Sequence, residues 1–365
     1  MGAACQRRSR MAELDKSTLV GARGWMQWFV GVNERELLSN REAVFNGSSF
    51  VNASTGQEWP AGTFECKTVQ ELEAAVRALP EASERSKAAL RVVDSCDIAQ
   101  LQTELKTEDE AMVQIASNFN CLENPSRGCL PDYGCLVEKY CVDATQGPAA
   151  SFGVPAASLL RAHYAFYAPG TEPSTWGQSK SQQVELLQHV ERFFARCVNG
   201  KLTLTGEEEP LPDARIEEVA QQIQVGIHAD AEVVFGRSDD HFKVRVLAAP
   251  YAKVDQVLSA SVNWNSPGTR PAQEQLLSLT RCALRAVYQG AYLAAIQRGR
   301  RLLLLTLVGG GVFDNPLDMI LEELAAAHAR FANHPASKLR EVRLCLFPRG
   351  IAQATEKKLL DLLAR

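Results

Sequence analysis

The sequence predicts an α/β fold, with helices on both faces of a largely parallel or mixed sheet. Two near-continuous apolar runs, RLLLLTLV (301–308) and VRLCLF (342–347), have the pattern of strands buried on both faces. Residues 273–298, 317–331 and 356–364 carry apolar or small side chains at helical spacing between and after them. Strand and helix signals alternate from about residue 89 onward, which is the signature of a layered sandwich.

Taken in chain order, the elements are these. GWMQWFVGV (24–32) is aromatic and β-branched and reads as a strand. Residues 48–59 hold two short β-like pieces around Gly56. Thr68 and Glu71 form a capping box opening an amphipathic helix that Pro80 ends. Residues 89–95 and 111–116 read as strands. IQVGIHADAEVVF (223–235) and FKVRVLAA (242–249) read as adjacent strands joined by the polar turn GRSDD. Segment 169–212 interrupts the alternation with a Gly/Pro/Ser-rich start, one helix (183–198) and the acidic turn GEEEP, so it reads as an insertion. The predicted organisation is a flexible tail (1–15), a small N-terminal α+β unit (16–85) and one α/β domain (86–365). Trp25, Trp28, Trp59 and Phe64 are expected to form the small unit's core.

The chain has 365 residues, 46% of them hydrophobic and 22% charged, with a net charge of −4. This composition excludes a disordered chain, a collagen-like fibre and a coiled coil. It lacks the basic excess of a nucleic-acid protein. No run approaches the roughly 18–20 apolar residues of a membrane span. Gly2 and Cys5 with Arg7, Arg8 and Arg10 suggest an acylation site, but Gln6 stands where that pattern wants Ser or Thr, so a plain tail is favoured. Without an apolar signal segment, a cytoplasmic or nuclear location is expected, and the sequons at Asn46 and Asn52 are expected to carry no glycan.

Ten cysteines include a cluster at Cys121, Cys129, Cys135 and Cys141, yet no C-x-x-C pair occurs. Free thiols are favoured over a metal site. The six histidines show no metal-binding spacing, and neither metal nor cofactor is expected.

Three motifs carry chemistry. LTLVGGGVFDNP (305–316) ends a buried strand in three glycines, Gly309, Gly310 and Gly311, followed by Val312 and Phe313. Asn315 reads as an N-cap and Pro316 as a first helical residue. Bare main-chain amides at a helix N-terminus suit a phosphate or diphosphate, and ligands of open α/β sheets sit at the carboxyl ends of strands. Neither a Walker loop nor G-x-G-x-x-G is present. MVQIASNFNCLE (112–123) runs from a strand into an Asn-rich end. Asn118 and Asn120 either stabilise the turn or face a pocket, where an amide suits ribose hydroxyls. VDATQGPAASFG (142–153) has a turn at Gly147-Pro148 and small residues after it. Asp143 there is either a capping carboxylate or an acid/base group.

The order of these pieces resembles the macro-domain family, which binds ADP-ribose. The match runs from about Arg91 to the C-terminus. It implies a three-layer α/β/α macro-like mixed sheet, here with a small N-terminal α+β extension. It also implies that ADP-ribose or an ADP-ribosylated protein is the partner. Residue by residue, the resemblance makes Asp97 the acceptor for the adenine amino group, with Ile98 beside the base. Asn120 becomes the amide on the distal ribose, often catalytic in the family. Gly309, Gly310 and Gly311 become the diphosphate loop, and Phe313 the aromatic residue on the distal ribose. If hydrolysis occurs, Asp143, read from its own motif and not from the resemblance, is the carboxylate that would orient the attacking water. This chain departs from the family in having Cys96 before Asp97, no glycine run directly after the asparagines, and Asp314 where glycine is usual. Binding, with hydrolysis of ADP-ribose from modified proteins, is the expected function. The alternative is a non-catalytic reader or protein-interaction module.

Overall fold

The computed structural model describes residues 18–364 apart from 22–23, 84–86, 95–96, 125–127, 135, 144, 195–196, 207, 239–242, 266–271 and 348–351. The tail, Cys96 and Cys135 therefore lie outside the described residues.

The strands are β1 (Thr18–Gly21), β2 (Ser49–Val51), β3 (Glu58–Pro60), β4 (Thr63–Thr68), β5 (Ala89–Val93), β6 (Ala111–Ala116) and β7 (Cys197–Val198). They continue with β8 (Lys201–Leu202), β9 (Gln224–Glu232), β10 (Phe235–Arg237), β11 (Lys243–Val246), β12 (Lys253–Ser259), β13 (Leu302–Thr306) and β14 (Glu341–Cys345). Seven of them form the central sheet in the order β4-β9-β12-β6-β13-β14-β5. The β4/β9 and β9/β12 pairs are antiparallel, and the remaining four pairs are parallel.

Alternation along the strands assigns the two helical layers. Gln256 on β12 reaches Gln102 and Arg161, which lie on α4 (Ile98–Glu104) and α6 (Pro155–His163). Gln114, paired with the next residue Val257, instead reaches the Val287 carbonyl, on α7 (Gln273–Gln297). Consecutive positions thus address opposite faces, and the molecule is an α/β/α sandwich. The helix α5 (Gln146–Gly153) belongs to the α4/α6 layer. The helices α3 (Val69–Arg77), α8 (Leu317–Phe331) and α9 (Ala352–Leu363) belong to the α7 layer.

Several elements match the sequence reading. The Thr68/Glu71 capping box opens α3, and α8 spans the predicted residues 317–331. Others do not. The segment 24–32 is not a strand: it contains helix α1 (Trp25–Val30), ended by Gly31 at φ 80°. Trp25, Met26, Phe29 and Val30 are buried, a one-sided helical pattern, so packing overrode β-propensity. The predicted helix 183–198 is only a turn at Glu191–Phe194. The Leu186 main chain bonds outward to the Phe119 carbonyl and the Gln224 amide, leaving no i−4 ladder there. Residues 223–235 split into β9 and β10, which join different sheets. Strand β12 sits mid-sheet and has no counterpart in the sequence reading.

Residues 16–85, read as a separate small unit, contribute β4 to the central sheet. Their aromatic side chains Trp25, Phe29, Phe50 and Trp59 share one buried cluster with Leu122, Tyr140, Phe152 and Phe235. Phe64 packs instead against the main core, stacked on His228. Among the described residues no helix is long and apolar enough to cross a membrane.

Candidate functional site

The sheet opens where its parallel strands end. Strands β6 and β13 pair only from Ala111/Leu302 to Val113/Leu304. Beyond that point Gln114 bridges the gap, its Oε1 accepting from the Thr306 amide at 3.1 Å. A cleft of about 460 Å³ lies there, lined by residues following β6, β12, β13 and β14. Both the place and the size are those of ligand sites in α/β sheets.

One wall is the glycine loop. Gly309, Gly310, Gly311, Val312 and Phe313 all line the cleft. Gly309 has φ 80°, and a β-carbon there would sit 2.1 Å from Asn315 Oδ1. Only glycine suits both the backbone and the space. Asn315 is the loop's brace rather than the predicted N-cap. Its amide N–H donates to the Gly309 carbonyl (3.0 Å). Its Nδ2 donates to the Val262 carbonyl (2.7 Å), and its Oδ1 accepts from Ser261 Oγ (2.5 Å). The cap position falls on Pro316, and α8 starts one residue later. Two of the loop's carbonyls are held by the segment after β12: Val312 O accepts from Asn265 Nδ2 and Phe313 O from the Trp264 amide, both at 3.0 Å. The amides of Gly311, Val312 and Phe313 donate to no acceptor among the described residues. Asp314, at φ 56°, is exposed and outside the cleft lining.

The facing wall is the turn after β6. Asn118 lines the cleft, but its Nδ2 is held by the Leu122 carbonyl at 2.9 Å. Asn120 is fully buried and is not among the lining residues. Its Oδ1 accepts from the Leu122 amide at 3.2 Å, and it packs on Gly200 of the insertion. The placement assigned to Asn120 by the resemblance is thus corrected. Cys121 adopts φ 59° and reverses the chain, which turns Asn120 to the rear and brings Glu123 to the front.

Glu123 is the residue that sequence reasoning missed. It lines the cleft and is 8% exposed. Its amide N–H donates to the Tyr140 hydroxyl at 3.0 Å. Its Oε1 is buried and accepts no hydrogen bond. Burial pushes the carboxyl up to about 8, against the attraction of Arg161 and Lys201 and with the help of the Asp143 charge. Asn124 Oδ1 and Thr306 Oγ1, on two more lining residues, are likewise buried without partners. A cleft bordered by unsatisfied polar atoms is one built for a polar ligand. Lys201, on the hairpin of β7 and β8, is the basic side chain lining it among the described residues. Phe347, just past β14, adds a half-exposed aromatic face.

The remaining predicted residues are placed as follows. Gly147 lines the cleft. Asp143 lines it too, but its Oδ1 accepts from the Thr145 amide (2.8 Å) and hydroxyl (2.6 Å), an Asx turn that holds the cap residue Thr145 rather than capping α5 itself. Asp97 and Ile98 are not in the lining. Asp97 caps α4 through the Ala99 amide at 2.9 Å and pairs with Arg237 at 2.9 Å. Its carboxylate is committed, so the adenine role implied by the resemblance has no support in its position. Ile98 is buried. No group of three or more His, Cys, Asp or Glu among the described residues could hold a metal ion.

Fold and site together define an α/β/α protein with a ligand cleft at the carboxyl ends of its parallel strands. A scan against protein-family models finds no match, and a search of curated proteins finds none. Among solved structures the chain is similar to a poly(ADP-ribose) glycohydrolase from Thermomonospora curvata, with 14% identity over 90% of this chain and 98% of that one and a TM-score of 0.45. It is also similar to the poly(ADP-ribose) glycohydrolase of Deinococcus radiodurans in complex with ADP-ribose, with 15% identity over 82% and 94% and a TM-score of 0.46.

Proposed function

We propose that the cleft binds ADP-ribose and that the chain hydrolyses the bond joining its distal ribose to a modified protein. The observation that carries this reading is a pairing across one cleft. A run of unbonded main-chain amides at Gly311–Phe313 faces service as a diphosphate cradle, and the buried carboxyl of Glu123 keeps its proton at neutral pH. The motif order selects ADP-ribose among nucleotide diphosphates.

In this reading the amides and Lys201 hold the diphosphate, Phe313 packs on the distal ribose, and Phe347 offers a face for a base. Water attacks the anomeric carbon. The bond from that carbon to the leaving oxygen breaks, Glu123 gives that oxygen its proton, and a proton from the attacking water restores the acid. Asp143, tied to Thr145, acts through its charge on Glu123.

A binding-only reader is favoured by one observation: Asn120, the amide that the resemblance makes catalytic, faces away from the cleft. Calorimetry with ADP-ribose beside AMP and NAD, together with release of ADP-ribose from a modified protein, separates the two readings. Preferential heat with ADP-ribose, release by the native chain and loss of release in Glu123→Gln are expected. Binding without release leaves the reader; no heat overturns both.

A further inference from the structure

We infer that Glu34, 89 residues before the cleft acid in sequence, is a positioning residue for Glu123. The inference rests on the reading of Glu123 as the working acid.

Glu34 opens the short helix α2 (Glu34–Ser39) of the N-terminal segment and is fully buried. Three donors converge on its carboxylate. The amides of Val137 and Glu138 donate at 3.0 Å each, and His163 Nε2 lies at 2.8 Å. The Glu34 amide in turn donates to Glu138 Oε1 at 2.9 Å. Although burial opposes ionisation, these bonds and His163 hold the Glu34 carboxyl below its ordinary value. It is therefore an acceptor only, and His163 carries its proton on Nε2.

Both elements gripped by Glu34 go on to Glu123. The 3-10 helix Val137–Val142 carries Tyr140, whose hydroxyl accepts from the Glu123 amide. Helix α6 ends in His163 and carries Arg161 two residues earlier, about 200° round the helix. Arg161 is 1% exposed and is bonded to Gln256, Ser151 and Ser158. None of those partners is a carboxylate, and its charge acts on Glu123. One buried carboxylate thus fixes the hydroxyl that anchors the Glu123 main chain and the helix that supplies the cation acting on it most strongly. Trp25 Nε1 adds a further tie, to the Glu138 carbonyl at 3.2 Å. Both elements that Glu34 joins lead to one cleft residue, and that convergence points to placement.

The test follows the Glu123 carboxyl itself, so it needs no substrate. In full-length protein carrying 13C-labelled glutamate carboxyls, the Glu123 signal is assigned by its absence in Glu123→Gln, and its titration midpoint is read by NMR. The groups facing it are Arg161, Lys201, Asp143 and Tyr140. Loosening the clamp admits water and relieves the burial that raises the midpoint. Tyr140→Phe, which leaves Arg161 in place, is expected to lower it by about one pH unit or more; Glu34→Gln is expected to shift it by as much, withdrawal of Arg161 opposing the relief of burial. ADP-ribose release should fall about tenfold while affinity stays within about threefold. An unchanged midpoint in folded Tyr140→Phe overturns the inference, and that variant decides if Glu34→Gln fails to fold. The reading of Glu123 as acid fails separately, if Glu123→Gln still releases ADP-ribose.

Discussion

Gly147 lies against the carboxylate of Glu123: a β-carbon on Gly147 would stand 2.7 Å from Glu123 Oε2 and 2.1 Å from the Ala116 carbonyl oxygen. The second neighbour is main chain at the end of β6 and has little room to move. Gly147→Ala must therefore displace either the first turn of α5 or the acid. Overpacking of this kind costs about 1–3 kcal/mol. We expect a lower unfolding midpoint in denaturant together with loss of ADP-ribose release. Native stability and native release in the variant would show that the space beside Glu123 is not needed.

The glycine loop makes a sharper demand. Gly309→Ala places a left-handed backbone under a side chain, at a cost of about 1–2 kcal/mol, and drives that side chain into Asn315. Asn315 ties the loop to Val262 and Ser261, so the displacement reaches the whole amide run. Calorimetry should show ADP-ribose affinity falling at least about tenfold, since a misdirected amide loses its charge-assisted bond. Undiminished affinity would remove the loop from the binding account.

Asp97 separates the geometry from the family resemblance. Its carboxylate holds the Ala99 amide and Arg237 and lies outside the cleft lining. Asp97→Ala should cost about 1 kcal/mol as a lost cap, visible in denaturant unfolding, with ADP-ribose affinity nearly unchanged. A large loss of affinity at native stability would return Asp97 to the adenine role.

What was legible in the sequence was local. Strand β13, the triple-glycine bend and α8 follow one another within thirty residues, and burial, turn and periodicity all show in the letters. Strand β12 was hidden because Asp255 and Gln256 break its apolar pattern. Both are buried, and their partners Arg298, Arg300 and Arg161 come from distant segments. Glu123 closes the MVQIASNFNCLE motif, and nothing in those letters singles it out. Its inward turn depends on the left-handed Cys121 and on the Asn118–Leu122 bonds, which no periodicity announces. Lys201 reaches the cleft from an insertion, and Asn120 is captured by that same insertion. Such contacts join residues about eighty positions apart and leave no trace in either stretch alone.

The Glu123 carboxyl gives the pH behaviour a definite sign. Its folded value of about 8 stands above the ordinary 4.5. Between those two values the folded chain keeps a proton that the unfolded chain has released. The stability linked to this group is therefore whole below pH 4.5 and is lost as pH rises through about 8. Glu123→Gln keeps the shape and stays neutral at every pH. Denaturant unfolding of the two proteins from pH 5 to pH 9 should show the native chain weakening relative to the variant as pH rises. Release of ADP-ribose by the native chain should hold up to neutral pH and decline as pH passes about 8, because the acid that protonates the leaving oxygen is titrated there. Parallel stability profiles for the two proteins would mean that the Glu123 carboxyl titrates normally. The cleft would then lack the acid on which the hydrolytic reading depends.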